Sequence, residues 1–256
     1  MLHRVAEAAL ARLAASLILF LMSLMPALAG DRAELNVLGY SKDYRYFAFE
    51  EFGEFDGSGG NYAHIYVVDL SADSWVPGTP FSTEQNGDTD DVIPSLAAIR
   101  AKTMSLAAPM LQDLKIEVPA TTLVLLGDGV AKADGKTMTT AFPSCCGSAD
   151  TDETAALTLT LSMFPSKSAV ECPVEEAFGY ALSATFADGT SGELHKDGDT
   201  LPKSRRCPQD YRLYAVVAPF EQFRPRVAII SSYPFGFEGV DRRFLAVPID
   251  MPDADR

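Results

Sequence analysis

Leu157-Thr158-Leu159-Thr160-Leu161-Ser162-Met163 alternates apolar and polar side chains without a break. Successive side chains of a strand point to opposite faces, so this pattern buries one face of a sheet and leaves the other towards water. Outward from it, short runs rich in Val, Ile, Tyr and Phe recur on both sides, at 35–39, 46–52, 64–70, 121–126, 178–186, 213–217, 227–231 and 244–247. Turn residues separate them: Lys42-Asp43, Asp56-Gly57-Ser58-Gly59-Gly60-Asn61, and the hairpin signals Asp134-Gly135 and Asp188-Gly189. Between 90 and 114 the period changes. Leu96, Ile99, Ala107, Met110, Leu111 and Leu114 recur at helical spacing, with Arg100, Lys102 and Gln112 on the other side. Asp90 or Asp91 is expected to cap this helix, Pro94 to sit in its first turn, and Pro109 to kink it or split off its last turn. Met104 and Met110 read as core filler.

The expected fold is therefore mainly β, with antiparallel sheets in a sandwich-like or partial propeller-like arrangement and one substantial helix around 94–114. No linker or low-complexity stretch interrupts residues 30–256, which are expected to form a single mainly β domain.

The chain has 256 residues, with 21 Lys and Arg against 35 Asp and Glu, a formal net charge of −14. Phosphate backbones are bound by basic faces, so nucleic acid is excluded as a partner, as is electrostatic docking on an anionic membrane surface. Residues 1–29 have the form of a signal peptide. Arg4 and Arg12 charge the n-region, residues 13–25 are an apolar run, and Ala27-Leu28-Ala29 gives the small-x-small cleavage pattern. The run falls short of the roughly 20 residues a membrane-spanning helix needs, and the missing stop-transfer flank favours cleavage over an uncleaved anchor. No later segment approaches spanning length. The expected location is periplasmic or secreted.

Four cysteines fit an oxidising compartment. Cys145 and Cys146 are adjacent and would close a strained ring with each other. Cys172 and Cys207 share a context, each preceding a proline in a polar stretch, and are the favoured pair among three possible pairings. Zinc is the rival reading, but no C-x-x-C spacing exists, and only His64 and His195 lie beyond the signal segment.

The segment from Leu38-Gly39-Tyr40 through Ser41-Lys42-Asp43-Tyr44 to Arg45-Tyr46-Phe47-Ala48-Phe49, followed by Ile65-Tyr66-Val67-Val68-Asp69-Leu70, resembles a blade of the TolB-type β-propellers. Tyr44 stands where that motif has its turn glycine, and no second good copy recurs at the blade period of about 40–50 residues. A wider resemblance runs from Phe49-Glu50-Glu51-Phe52-Gly53 through Trp75-Val76-Pro77-Gly78-Thr79-Pro80 to Pro202-x-Ser204-Arg205-x-Cys207-Pro208 and Gly236-Phe237-Glu238-Gly239-x-Asp241-Arg242-Arg243-Phe244. These stretches are similar to a family of bacterial predicted secreted proteins of unknown function. That resemblance implies export from a Gram-negative-type cell and brings no activity, cofactor or catalytic residue with it.

Four features carry candidate chemistry. Glu54, Asp56, Ser58 and Asn61, beside Glu50 and Glu51, set oxygen ligands on a flexible turn, a pattern that suits Ca²⁺; a solvated acidic hairpin end is the alternative. No other cofactor is indicated. Glu50 and Glu51 as an acid/base pair would point to opposite faces of a strand. His64 and His195 are the histidines open to a hydrolase, with no G-x-S-x-G elbow, H-E-x-x-H or P-loop beside them. Arg205-Arg206 and Arg242-Arg243, the Arg doublets of an acidic chain, would clamp a carboxylate or phosphate, or else pair with the chain's own acids. Tyr233, Phe235 and Phe237 are core or a partner surface. The preferred function is a non-catalytic periplasmic module binding a protein or small-molecule partner. The alternative is a carboxylate-based hydrolase, for which Glu50, Glu51 or Asp56 should meet a histidine or an Arg pair in a pocket.

Overall fold

The computed structural model describes residues 30–87, 92–128, 137–143, 156–186, 188–220, 222, 224–236 and 239–250. Residues 1–29, expected to be a signal peptide, and Asp90, Asp91, Asp134-Gly135, Cys145, Cys146 and Phe237 lie outside these residues. The alternating stretch 157–163 forms the first half of a long strand in which Leu157, Leu159 and Leu161 are fully buried.

Three sheets are present among the described residues. The first is an up-and-down meander of β1 (Glu34–Ser41), β2 (Tyr46–Glu54) and β3 (Asn61–Asp69). The short strands β4 (Ser74–Trp75) and β5 (Phe81–Gln85) share its far edge, and β6 (Ile116–Val118) its near one. The second is built on the long strand β9 (Ala156–Ser168), flanked by β10 (Ala177–Thr185) and β11 (Ser191–Lys196) on one side. On its other side lie β8 (Thr137–Pro143) and the two-residue parallel β12 (Thr200–Leu201). The third has the order β15 (Arg243–Pro248), β14 (Val227–Pro234), β13 (Pro208–Pro219), β7 (Ala120–Leu125).

The third sheet is the middle layer. On β14, Ala228 and Ile230 pack with Leu157, Leu159, Leu161 and Leu182 of the second sheet. The intervening Val227 and Ile229 pack with Phe47, Phe49, Tyr66 and Val68 of the first. A strand buried on both faces has no polar side to show, and every residue of β14 is buried. The Tyr40 hydroxyl donates to the Val217 carbonyl at 3.2 Å, tying the first sheet to the third.

Three local expectations are corrected. The helix α1 (Leu96–Asp113) starts later than expected, because Ser95 caps it by accepting from the Ala98 N–H at 3.3 Å. Pro94 precedes the cap, and its carbonyl instead accepts from Asn61 Nδ2. The helix runs unbroken past Pro109. Pro109 and Ser105, one turn apart, are both exposed, so the Ser105 carbonyl that loses its N–H partner lies on the solvent side. Only Ile99, Thr103 and Ala107 are buried, a narrow stripe of modest side chains against β3 and β5. Last, β7 and β8 flank Asp134-Gly135 but do not form a hairpin: β7 pairs with β13 and β8 with β9. Asp188-Gly189 does turn a hairpin, β10 into β11, with Gly189 at φ 83°. In the first hairpin Tyr44 takes φ 59°, the conformation that favours the glycine it replaces.

Cys172 and Cys207 form a disulfide with a Cα–Cα separation of 5.7 Å across 35 residues of sequence. A loop of that length is worth about 3–4 kcal/mol on the chain-entropy account. The Cys172→Ser/Cys207→Ser variant should lose that much in urea unfolding; a loss under about 1 kcal/mol would mean the bridge constrains little.

Candidate functional site

The site begins with the alternation of β2. Glu50 and Glu51 are both 1% exposed, yet they face opposite ways. Glu50 turns to α1, where Arg100 Nε and Nη2 donate to its two oxygens at 2.9 and 2.7 Å and Asn36 Nδ2 donates at 3.0 Å. Arg100, expected on the solvent side of the helix, therefore neutralises a buried carboxylate. This pair is structural. Glu51 turns to the third sheet. The Tyr66 hydroxyl donates to Oε1 at 3.0 Å, and the Phe244 backbone N–H donates to Oε2 at 3.0 Å. Burial pushes the Glu51 carboxyl above its ordinary pKa, and the Arg243 guanidinium only partly offsets this.

Across the β2–β3 pair, Glu51 stands opposite His64. His64 Nδ1 meets Ser82 Oγ of β5 at 3.0 Å. Burial, reinforced by Arg243 and Arg206, lowers its pKa to about 4. His64 is therefore neutral at pH 7, and its 3.5 Å approach to Glu84 is no ion pair.

The cations come from the C-terminal part. Residues Lys203–Arg205 make a single 3₁₀ turn, and Arg206 ends it at φ 56° and ψ −126°, a rare backbone state for a residue other than glycine. Three restraints hold this turn. Arg205 pairs with buried Asp197 at 3.2 Å, Ser168 Oγ donates to the Arg206 carbonyl at 2.6 Å, and Cys207 is bridged to Cys172. Arg243 enters from β15, donating to the Tyr62 hydroxyl at 2.9 Å and pairing with Asp31 at 3.3 Å.

These groups surround a hollow of about 310 Å³ between the first and third sheets, lined by Glu51, His64, Trp75, Lys203, Arg206 and Arg243 among others. The Arg206 side chain is 56% exposed and its nearest carboxylate, Asp241, is 3.5 Å away. Lys203 is exposed and has no ion-pair partner among the described residues. Lys203 is thus available to an incoming anion, and Arg206 reaches solvent while pairing with Asp241.

A second hollow of about 360 Å³ adjoins the first and shares Trp75, Ser204, Arg205 and Leu245 with it. At its far side His195 is clamped between Asp73 at 2.9 Å and Asp197 at 3.3 Å. Burial opposes charge on this imidazole, but the two carboxylates outweigh it and lift the pKa to about 9.

The remaining candidates lie elsewhere. Glu54 ends β2, opposite Asn61. The Asp56 N–H donates to Asp31 Oδ1, and Ser58 Oγ accepts from the Gly60 N–H. Among the described residues no group of three His, Cys, Asp or Glu side chains gathers as a metal site. Arg242 leaves the cleft for Asp128 and Glu34. Tyr233 is buried and donates to Asp128, and Phe235 is exposed. Sequence reasoning missed Trp75 and Lys203. The one signal for them was the motif context around each, which named no chemistry.

The described residues form a three-sheet β protein with a cleft lined by Lys203, Arg205, Arg206 and Arg243. Residues 48–250 match the family described as Predicted secreted protein (DUF2259), and the chain belongs to that family. No curated protein and no solved structure matches the chain. No helix among the described residues is long and apolar enough to cross a membrane.

The two histidines make opposite contributions to stability. His195 is raised above its unfolded value of about 6.5, so its contribution is full below that pH and lost as pH rises through about 9. His64 is lowered, so its contribution is full above about pH 6.5 and lost as pH falls towards 4. NMR titration of the ring protons should give midpoints near 4 and 9. His195→Gln should cost up to about 3 kcal/mol near pH 6 and much less above pH 9. Midpoints both near 6.5 would refute the burial and the clamp alike.

Proposed function

We propose that this protein is a non-catalytic binding protein of the periplasm or cell exterior that captures a small anionic solute in the cleft between its first and third sheets. One observation carries the reading. In a chain of net charge −14, Lys203, Arg205, Arg206 and Arg243 converge on one hollow that also holds Glu51 and Glu84; Lys203 has no ion-pair partner among the described residues, and the Arg206 side chain is exposed beside its partner Asp241. Guanidinium groups bind carboxylate, phosphate and sulfate by charge-assisted hydrogen bonds. The walls that hold them are fixed beforehand by an ion pair, a disulfide and buried sheet faces, which lowers the ordering cost of binding.

A second reading, a hydrolase acting through Glu51, is favoured by a specific pairing. A carboxyl with a raised pKa and a neutral histidine stand side by side in the same hollow. Against it, both Glu51 oxygens already accept hydrogen bonds from the protein's own groups.

Thermal unfolding in acetate, phosphate or sulfate against chloride at equal ionic strength tests the first reading. An anion at 100 times its Kd should add about 2.7 kcal/mol, roughly 5–10 °C for a chain of this size. Arg206→Gly should abolish most of that shift while lowering the basal midpoint only by what the Asp241 pairing contributes, because glycine accepts the positive φ at 206 at no steric cost. An equal shift in wild type and variant would place the anion elsewhere. Ester or glycoside turnover lost in Glu51→Gln would support the hydrolase instead.

A further inference from the structure

We infer that the solute taken by this cleft is an amphipathic acid, a compound with one anionic group and an extended apolar body. This rests on the anion-binding reading above and adds the chemical class of the ligand. The two adjoining hollows differ in character. The first carries Lys203, Arg206 and Arg243. The second has none of these three. Its wall is Val68, Pro202, Ala246 and Val247, together with the shared Trp75 and Leu245. Its charged groups cancel within the wall: His195 with Asp73 at 2.9 Å, Arg205 with Asp197 at 3.2 Å. The cleft is thus cationic at one end and neutral and apolar at the other, and Trp75 stands where the two meet.

A compact anion would occupy only the cationic end and leave the apolar wall in contact with water. A body attached to the anion and lying along the partly exposed Trp75, Pro202, Leu245 and Ala246 removes that wall from water. Each methylene so buried raises affinity about fourfold. Together the two hollows, about 310 and about 360 Å³, fall in the range of small-molecule sites. The anionic group is assigned to Arg206 and Lys203 because they are exposed, whereas Arg243 is only 14% exposed and already holds Tyr62 and Asp31.

Trp75 is the only tryptophan of the chain, so intrinsic fluorescence reports on this junction directly. The test is a titration of the full oxidised protein with acetate, butyrate, hexanoate and octanoate, and with 1-octanol and inorganic phosphate as controls. Three proteins are compared: wild type, Arg206→Gly, and Ala246→Phe, which fills the apolar hollow without touching a charge. Affinity should rise at least tenfold from butyrate to octanoate. Arg206→Gly should weaken octanoate about tenfold and leave 1-octanol unchanged. Ala246→Phe should flatten the chain-length dependence and leave acetate unchanged. If phosphate and acetate bind as tightly as octanoate and lose affinity in Arg206→Gly, the anion-binding reading stands and the amphipathic assignment falls. If 1-octanol equals octanoate in wild type, both fall. Absence of any response in all three proteins, with folding intact by circular dichroism, overturns both.

Discussion

Glu51 is a buried carboxyl through which the N-terminal meander is held to β15, the last strand among the described residues. Its two oxygens take a hydroxyl from Tyr66 within the first sheet and a backbone N–H from Phe244 in the third, 193 residues further along the chain. Removing a carboxylate from water is costly unless donors replace the water, and these two donors fix where the sheets can sit. Once that spacing is set, Arg243, the residue before Phe244, is carried to the cleft, and His64 is held beside Glu51 on the neighbouring strand.

The same one-residue alternation keeps Glu50 out of the site. Adjacent glutamates on a strand serve two different interfaces, one with α1 through Arg100 and one with the third sheet. The pair looks like a catalytic dyad on paper and behaves as two unrelated fasteners in space. Alternation also explains the middle sheet: β14 supplies Val227 and Ile229 to one core and Ala228 and Ile230 to the other, so a single strand is shared by both.

Much of the fold was legible in the sequence, for reasons that can be named. Leu157 to Met163 declared its period, and the longer strands carried enough β-branched and aromatic residues to be seen. The helix was visible from the change of period near Leu96. Strands β4, β6 and β12 have only two or three residues and no period to detect, and β5, Phe-Ser-Thr-Glu-Gln, carries one apolar residue. The cap at Ser95 was hidden behind the more conspicuous Asp90 and Asp91. The Arg doublets and the two histidines were each visible as candidates, but their meeting was not. Positions 51, 64, 75, 203–206 and 243 are brought together by two sheets and a 3₁₀ turn, and no local pattern encodes that. Nor does sequence say that Arg242 and Arg243 part company, one to the surface acids and one to the cleft.

The layering has a bearing on when the molecule becomes itself. The middle sheet takes one strand from near residue 120 and three from beyond residue 208. The first sheet, complete by residue 118, finds packing partners for one of its faces only there, and the Arg32–Arg242 bridge joins the two extremes of the described chain. Non-local contacts of this kind form late, because the intervening chain must first be closed into loops. The N-terminal sheet has α1 on one face as soon as residue 113 is made, but its other face waits for strands that come after residue 208.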